Sequence, residues 1–215
     1  MGLATLLVLA DGRLPSGGHA HSGGLEAQVS AGRVRDLDDV FGFLRGKLAT
    51  SGLVSAAFAA AACHRPADWA ALDEGLDART PSPALRKASR AQGRALLRAG
   101  RSMWPLAASY PREMHQPVAL GLLAAGAGLG PLDAAVAAAH GVTTGAASAA
   151  VRLLGLDPYA VHGLLARLAP VCDRIAADAA RRSDDPVDDL PAAGSPLLDI
   201  GAEHHATWEV RLFAS

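Results

Sequence analysis

The chain has 215 residues, 20 Lys and Arg against 21 Asp and Glu, a formal net charge of −1, and half of its residues are hydrophobic. That composition excludes a disordered chain, and near-neutrality excludes a global attraction to nucleic acid or anionic lipid. Its two cysteines, Cys63 and Cys172, lie far apart without C-x-x-C or zinc-type spacing, so they read as buried small hydrophobes and not as a disulfide framework.

Ala and Leu dominate, and no stretch sustains period-2 alternation, so the chain is read as all-α: a single-domain bundle, 1–215, of about eight to ten helices. The first helix covers 3–10; it is apolar but lacks the basic start of a secretory signal. An irregular loop, Asp11 to Gly24, leads into a helix at 25–31. Asp36 caps a long helix over 37–63, and another is expected at 67–77. Ser82-Pro83 is a cap with proline at the first helical position, opening a helix at 83–103. The segment Trp104 to Gln116, with Pro105 and Pro111, is irregular. Helices at 117–128 and 132–154 meet at Gly130-Pro131, and Gly155 is the C-terminal stop of the second. Its segment Ala134 to Val151 is long enough to span a membrane but contains no Leu, Ile or Phe, so a packed core helix is expected. Gly126, Gly128, Gly141 and Gly145 are expected to let helix backbones approach closely. Asp157-Pro158 starts a helix over 158–182. Ser183 to Gly194, with four aspartates, reads as a solvated acidic loop, and Ser195-Pro196 caps a last helix at 196–206.

Three features could carry function. The first is the loop Leu14 to Glu26, L-P-S-G-G-H-A-H-S-G-G-L-E. It lacks the lysine and hydroxyl of a phosphate-binding P-loop. His19 and His21 form an H-x-H pair that could bind a transition metal and support a metal-dependent hydrolase, but spacing fixes no third ligand. The second feature is basic. Arg79, Arg86, Lys87, Arg90, Arg94, Arg98, Arg101 and Arg112 lie in a stretch with no acidic residue. Arg86, Arg90, Arg94 and Arg98 form a drifting stripe on one helix, either a solvated face paired with the Asp184–Asp189 loop or a docking surface for an acidic protein. Duplex DNA is a further reading of the stripe, without a recognised motif behind it. The third feature is the C-terminal stretch Trp208 to Phe213, which either packs on the chain's own core or awaits a partner. No nucleophile elbow, no H-E-x-x-H and no carboxylate pair on one helix face stands out, so no catalytic residue is assigned.

Four segments in order carry a resemblance. Leu14-Pro15-Ser16-Gly17-Gly18 with His21-Ser22 and Gly24-Leu25-Glu26 resembles the N-terminal signature of the urease accessory protein UreF family. Ala88-Ser89-Arg90-Ala91-Gln92-Gly93-Arg94 resembles its central helix. His115-Gln116-Pro117-Val118-Ala119-Leu120-Gly121 is similar to its H-x-P-V-x-x-G helix start, and Ser195-Pro196-Leu197-Leu198-Asp199, His204 and Arg211-Leu212-Phe213-Ala214-Ser215 to its C-terminal segment. The chain departs from the pattern at His19, at Gly155-Leu156-Asp157 and at Ala214. The resemblance implies a cytoplasmic, all-α, homodimeric protein without cofactor, bound metal or catalysis of its own. It implies binding to the accessory protein UreD (also called UreH), recruitment of the nickel-binding GTPase UreG, docking on apo-urease for nickel insertion, and control of GTP hydrolysis. The implied partner-binding residues are Leu14, Pro15, Gly17, Gly18, His21, Ser22, Glu26, Ser89, Arg90, Gly93, Arg94, His115, Arg211, Leu212, Phe213 and Ser215. Leu212 and Phe213 are expected to anchor in UreD with Arg211 ordering the tail, and Arg90 and Arg94 to face the GTPase.

Overall fold

A computed structural model describes residues 2–215. Its helices are α1 (Leu3–Leu9), α2 (Leu25–Ser30), α3 (Leu37–Lys47), α4 (Leu53–His64), α5 (Trp69–Ala78), α6 (Pro83–Arg101), α7 (Gln116–Gly126), α8 (Pro131–Leu154), α9 (Pro158–Arg181) and α10 (Pro196–Ala206). There is no strand among the described residues, and the expected all-α class holds. α3 runs into α4 through a π-helical turn, Leu48–Gly52, so the long helix expected from Asp36 onward is continuous but locally widened.

Caps set several boundaries. Asp36 accepts from the Asp39 N–H at 2.9 Å, Ser82 from the Leu85 N–H at 3.1 Å, and Asp157 from Tyr159 and Ala160. Gly155, at φ 63°, ends α8 in the left-handed conformation that glycine adopts without strain. Ser195 is the exception: its hydroxyl donates to Thr50 Oγ1 at 2.5 Å, so it ties α10 to the π-turn and caps nothing.

Two core clusters meet along α8 and α9. One gathers Phe58, Leu72, Leu97, Leu122 and Leu123 from α4 to α7; the other gathers Leu25, Val40, Leu44, Leu48, Val161, Leu164 and Leu168. α4 is buried on all sides from Ala56 to Cys63, which its alanine content permits. α7 packs on it so closely that a Cβ added at Gly121 would stand 2.3 Å from the Ala59 carbonyl. Of the glycines expected to allow such contacts, Gly126 does, since an added Cβ would stand 3.0 Å from the Pro105 carbonyl, whereas Gly128, Gly141 and Gly145 have no atom within 4 Å of that position. The stretches Leu37–His64 and Pro131–Leu154 are long and apolar enough to cross a membrane, yet 61% and 56% of their most apolar windows are buried inside the fold.

The acidic segment after α9 is not a free solvated loop. Leu190 is buried and Val187 packs on the first core. The Arg79 guanidinium donates to the carbonyls of Val187 at 2.7 Å, Leu190 at 3.1 Å and Pro191 at 3.1 Å. Its apolar residues and backbone carbonyls hold it down, while its aspartates face outward, and composition weighs only the aspartates.

Candidate docking site

The loop before α2 and the C-terminal tail form one unit. Gly23 and Gly24 take positive φ, 63° and 90°, turning the chain so that Leu25 enters the core. The buried Ser22 donates from its backbone N–H (2.7 Å) and its hydroxyl (2.8 Å) to the Ser215 carbonyl, and the Ala214 N–H donates to the Ala20 carbonyl at 2.7 Å. His21 Nδ1 pairs with Ser215 Oγ at 2.7 Å.

Beneath this pairing lies Glu26. One carboxylate oxygen accepts the Leu212 N–H at 2.8 Å; the other accepts the Phe213 N–H at 3.0 Å and His205 Nε2 at 2.8 Å. Burial works to raise the Glu26 carboxyl, but the Leu212 N–H, His205 and the Phe213 N–H outweigh it and hold the group below its ordinary value. Phe213 is 4% exposed, in the second core, with the Arg152 guanidinium 4.5 Å above its ring. Phe213 fills a site in its own chain, and Glu26, not Arg211, orders the tail. Arg211 is exposed, and Leu212 and Val210 remain 53% and 88% exposed. Leu14 packs partly on the first core, while Pro15, Gly18 and His19 lie at the surface and Gly17 is half-buried.

The second group joins α5, α6 and α7. His115, 1% exposed, holds Asp77 Oδ1 through Nε2 at 2.8 Å and meets Ser89 Oγ through Nδ1 at 2.9 Å. The carboxylate needs the proton on Nε2, so the Ser89 hydroxyl donates to Nδ1. Ser89 Oγ also accepts the Gln116 N–H at 3.1 Å, and the His115 N–H donates to Asp73 at 2.7 Å. Arg90 spans both carboxylates, Asp73 at 2.7 Å and Asp77 at 2.6 Å. Burial pushes the His115 imidazole down against the pull of Asp77, which favours its neutral form. The arrangement has the order of a Ser-His-Asp triad, but Arg90 shares Asp77 and the α7 N-terminus occupies Ser89, so its work is to lock three helices. Gly93 lies at the tightest point: an added Cβ would sit 2.0 Å from the Met114 carbonyl.

Two expectations change here. The arginine stripe pairs with α5 and Glu113, not with the acidic segment. Arg90 pairs with Asp73 and Asp77, whereas Arg94 holds Glu113 at 2.9 Å in an exposed pair, and Arg98 is exposed. A carboxylate pair does occupy one helix face: Asp73 and Asp77 stand four apart, a signal readable in the sequence but recognisable only once Arg90 and His115 face it. Arg152 and Lys47 are likewise not singled out as site residues. His19 and His21 gain no third ligand, since no group of three His, Cys, Asp or Glu able to hold a metal occurs among the described residues.

Two polar clusters fasten one segment of the chain to another, while exposed apolar and basic side chains remain on the outside of an all-α domain. The UreF family model matches residues 34–169. The chain is 47% identical over 215 residues to the urease accessory protein UreF of Mycobacterium sp. (strain JLS), 46% to that of Mycolicibacterium vanbaalenii and 41% to that of Mycobacterium tuberculosis, with 99% of each chain covered. It belongs to the UreF family. These relatives extend the likeness over the glycine loop and the tail, which lie outside the family-model match.

Proposed function

We propose that this chain is a non-catalytic accessory protein of urease maturation, a nickel-insertion chaperone acting in the cytoplasm as a homodimer and as one unit over 1–215. In this reading it bridges UreD (UreH) and the GTPase UreG on apo-urease and modulates GTP hydrolysis. The observation that carries the reading is the exposed apolar set on an ordered base: Leu197 and Ile200 of α10, with Val210 and Leu212 of the tail, all on segments packed against α2. Apolar groups held rigidly in water suit a protein partner, because little ordering entropy remains to be lost on binding. Leu212, not Phe213, is then the tail's anchor for UreD. Arg94 and Arg98 replace Arg90 as candidates for the GTPase contact, which should weaken with salt.

The test is co-expression with cognate UreD and UreG, followed by size-exclusion chromatography with mass determination. A complex containing two copies of this chain is expected, and it should lose UreD on Leu212→Asp. A lone monomer that ignores both partners overturns the reading. The hydrolase reading built on His19 and His21 has less support, since Ser215 engages His21 and no group of three metal-ligating side chains occurs among the described residues.

A further inference from the structure

A cavity of about 520 Å³ opens where the glycine loop, the last turn of α8 and the C-terminal tail meet. Arg152, Glu209, Arg211, Leu212 and Phe213 are in its lining. Arg152 is held in place there. Its guanidinium lies 4.5 Å over the Phe213 ring, and Nη1 donates to the His19 carbonyl at 3.4 Å, which leaves most of its five N–H donors unused. Arg211 is exposed and forms no ion pair among the described residues. Glu209 is the one carboxylate in the lining, and it pairs with neither arginine among the described residues. The cavity therefore carries a surplus of positive charge in a concave setting, which concentrates the field. It also borders the half-exposed Leu212, an apolar group with no cover of its own.

We propose that this cavity receives an aspartate or glutamate side chain of the protein that docks on the tail, so that the partner's contact segment is acidic as well as apolar. The inference rests on the docking of UreD at Leu212 proposed above. The guanidinium groups of Arg152 and Arg211 match a carboxylate in charge and in the geometry of paired N–H donors. Arg152 is already fixed against Phe213, so little side-chain entropy is lost when it bonds. A protein segment suits the site better than a free anion, because a free anion would leave Leu212 in water. The same surplus charge disfavours a basic segment, which gives the contact its selectivity.

The affinity of the full-length chain for cognate UreD is measured at low and at high sodium chloride. Arg211→Glu should weaken binding about tenfold or more and flatten its salt dependence. Glu209→Gln should act in the opposite direction, tightening binding about two- to threefold, because it removes the carboxylate that competes for the same cations. Arg211 is exposed, so its variant should fold, and unchanged protection of the Leu212 and Phe213 amides from hydrogen exchange would confirm that the tail is still docked on its own chain. Leu212→Asp separates this inference from the reading beneath it. If Leu212→Asp abolishes binding while Arg211→Glu changes neither the affinity nor its salt dependence, the carboxylate site is wrong and docking at the tail stands. If neither variant weakens binding, docking at the tail fails and the site with it. Weaker binding by Glu209→Gln also overturns the site.

Discussion

Replacing Glu26 by Ala should release the C-terminal tail while leaving the helices in place. The carboxylate accepts two tail N–H groups and the His205 ring within 3.0 Å, in a buried setting. Hydrogen bonds to a charged group contribute about 1.5–3 kcal/mol each, so three unanswered donors would exceed what the tail gains by staying docked. The tail's main gain is the burial of Phe213, about 2–3 kcal/mol. Release is therefore the cheaper outcome, and it caps the loss at about 3–5 kcal/mol, or roughly 6–20 °C in melting temperature for a chain of this size. Hydrogen exchange would show it directly: the Leu212, Phe213 and Ala214 amides should lose protection, while those of α4 and α7 keep theirs. Protected tail amides in Glu26→Ala, with stability within about 1 kcal/mol of the parent, would refute the assignment of Glu26 as the tail's fastening. Acid should act in the same direction. The folded-state value of this carboxyl lies below the ordinary one, so its contribution is complete above about 4.5 and disappears as pH falls through the lower, folded value.

Gly93→Ala should cost about 3 kcal/mol or more in urea denaturation, since its Cβ would collide with the Met114 carbonyl, whereas Gly141→Ala, in open space on α8, should stabilise by up to ~1 kcal/mol. Arg90→Met should cost about 2–3 kcal/mol, because it strands Asp73 and Asp77 beside His115; Arg98→Ala should change stability by less than about 0.5 kcal/mol by the same measurement. Lys47 titrates near 8 when folded and near 10.5 when unfolded, so between those values the unfolded chain binds more protons and stability should rise with pH, by up to about 3 kcal/mol. Cys63, raised to about 11, acts in the opposite direction, so the check is the difference between the parent and Lys47→Met curves in chloride buffer, which should slope upward from 8 to 10.5.

Helix positions were legible because they depend on signals local to a few residues. Asp36, Ser82, Asp157 and Gly155 each do at a boundary what their spacing predicts. Ser195 shows the limit of that logic: it has the same cap-plus-proline pattern, yet Thr50, 145 residues away, takes its hydroxyl. The site was legible as a set of residues but not as roles. Glu26, Ser22, His21, Phe213 and Ser215 were all singled out, yet nothing within the loop or the tail alone says that each is the other's partner.

The same distance in sequence separates the arginine stripe from the groups it meets. Periodicity places Arg86, Arg90, Arg94 and Arg98 on a helix face but is silent about what the face meets. Arg90 faces an Asp pair and becomes internal wiring, Arg94 shares its charge with Glu113 in water, and Arg98 is exposed without an ion-pair partner among the described residues. One stripe therefore contains a structural, an intermediate and an available cation in three successive turns. Charge reversal across the whole stripe would confound folding with docking, whereas reversal at Arg98 alone reads docking. The tail divides in the same way. Phe213 and Leu212 are neighbours, but one side chain turns inward beneath Arg152 while the other stays in water, so Phe213 variants report on stability and Leu212 variants on partner affinity.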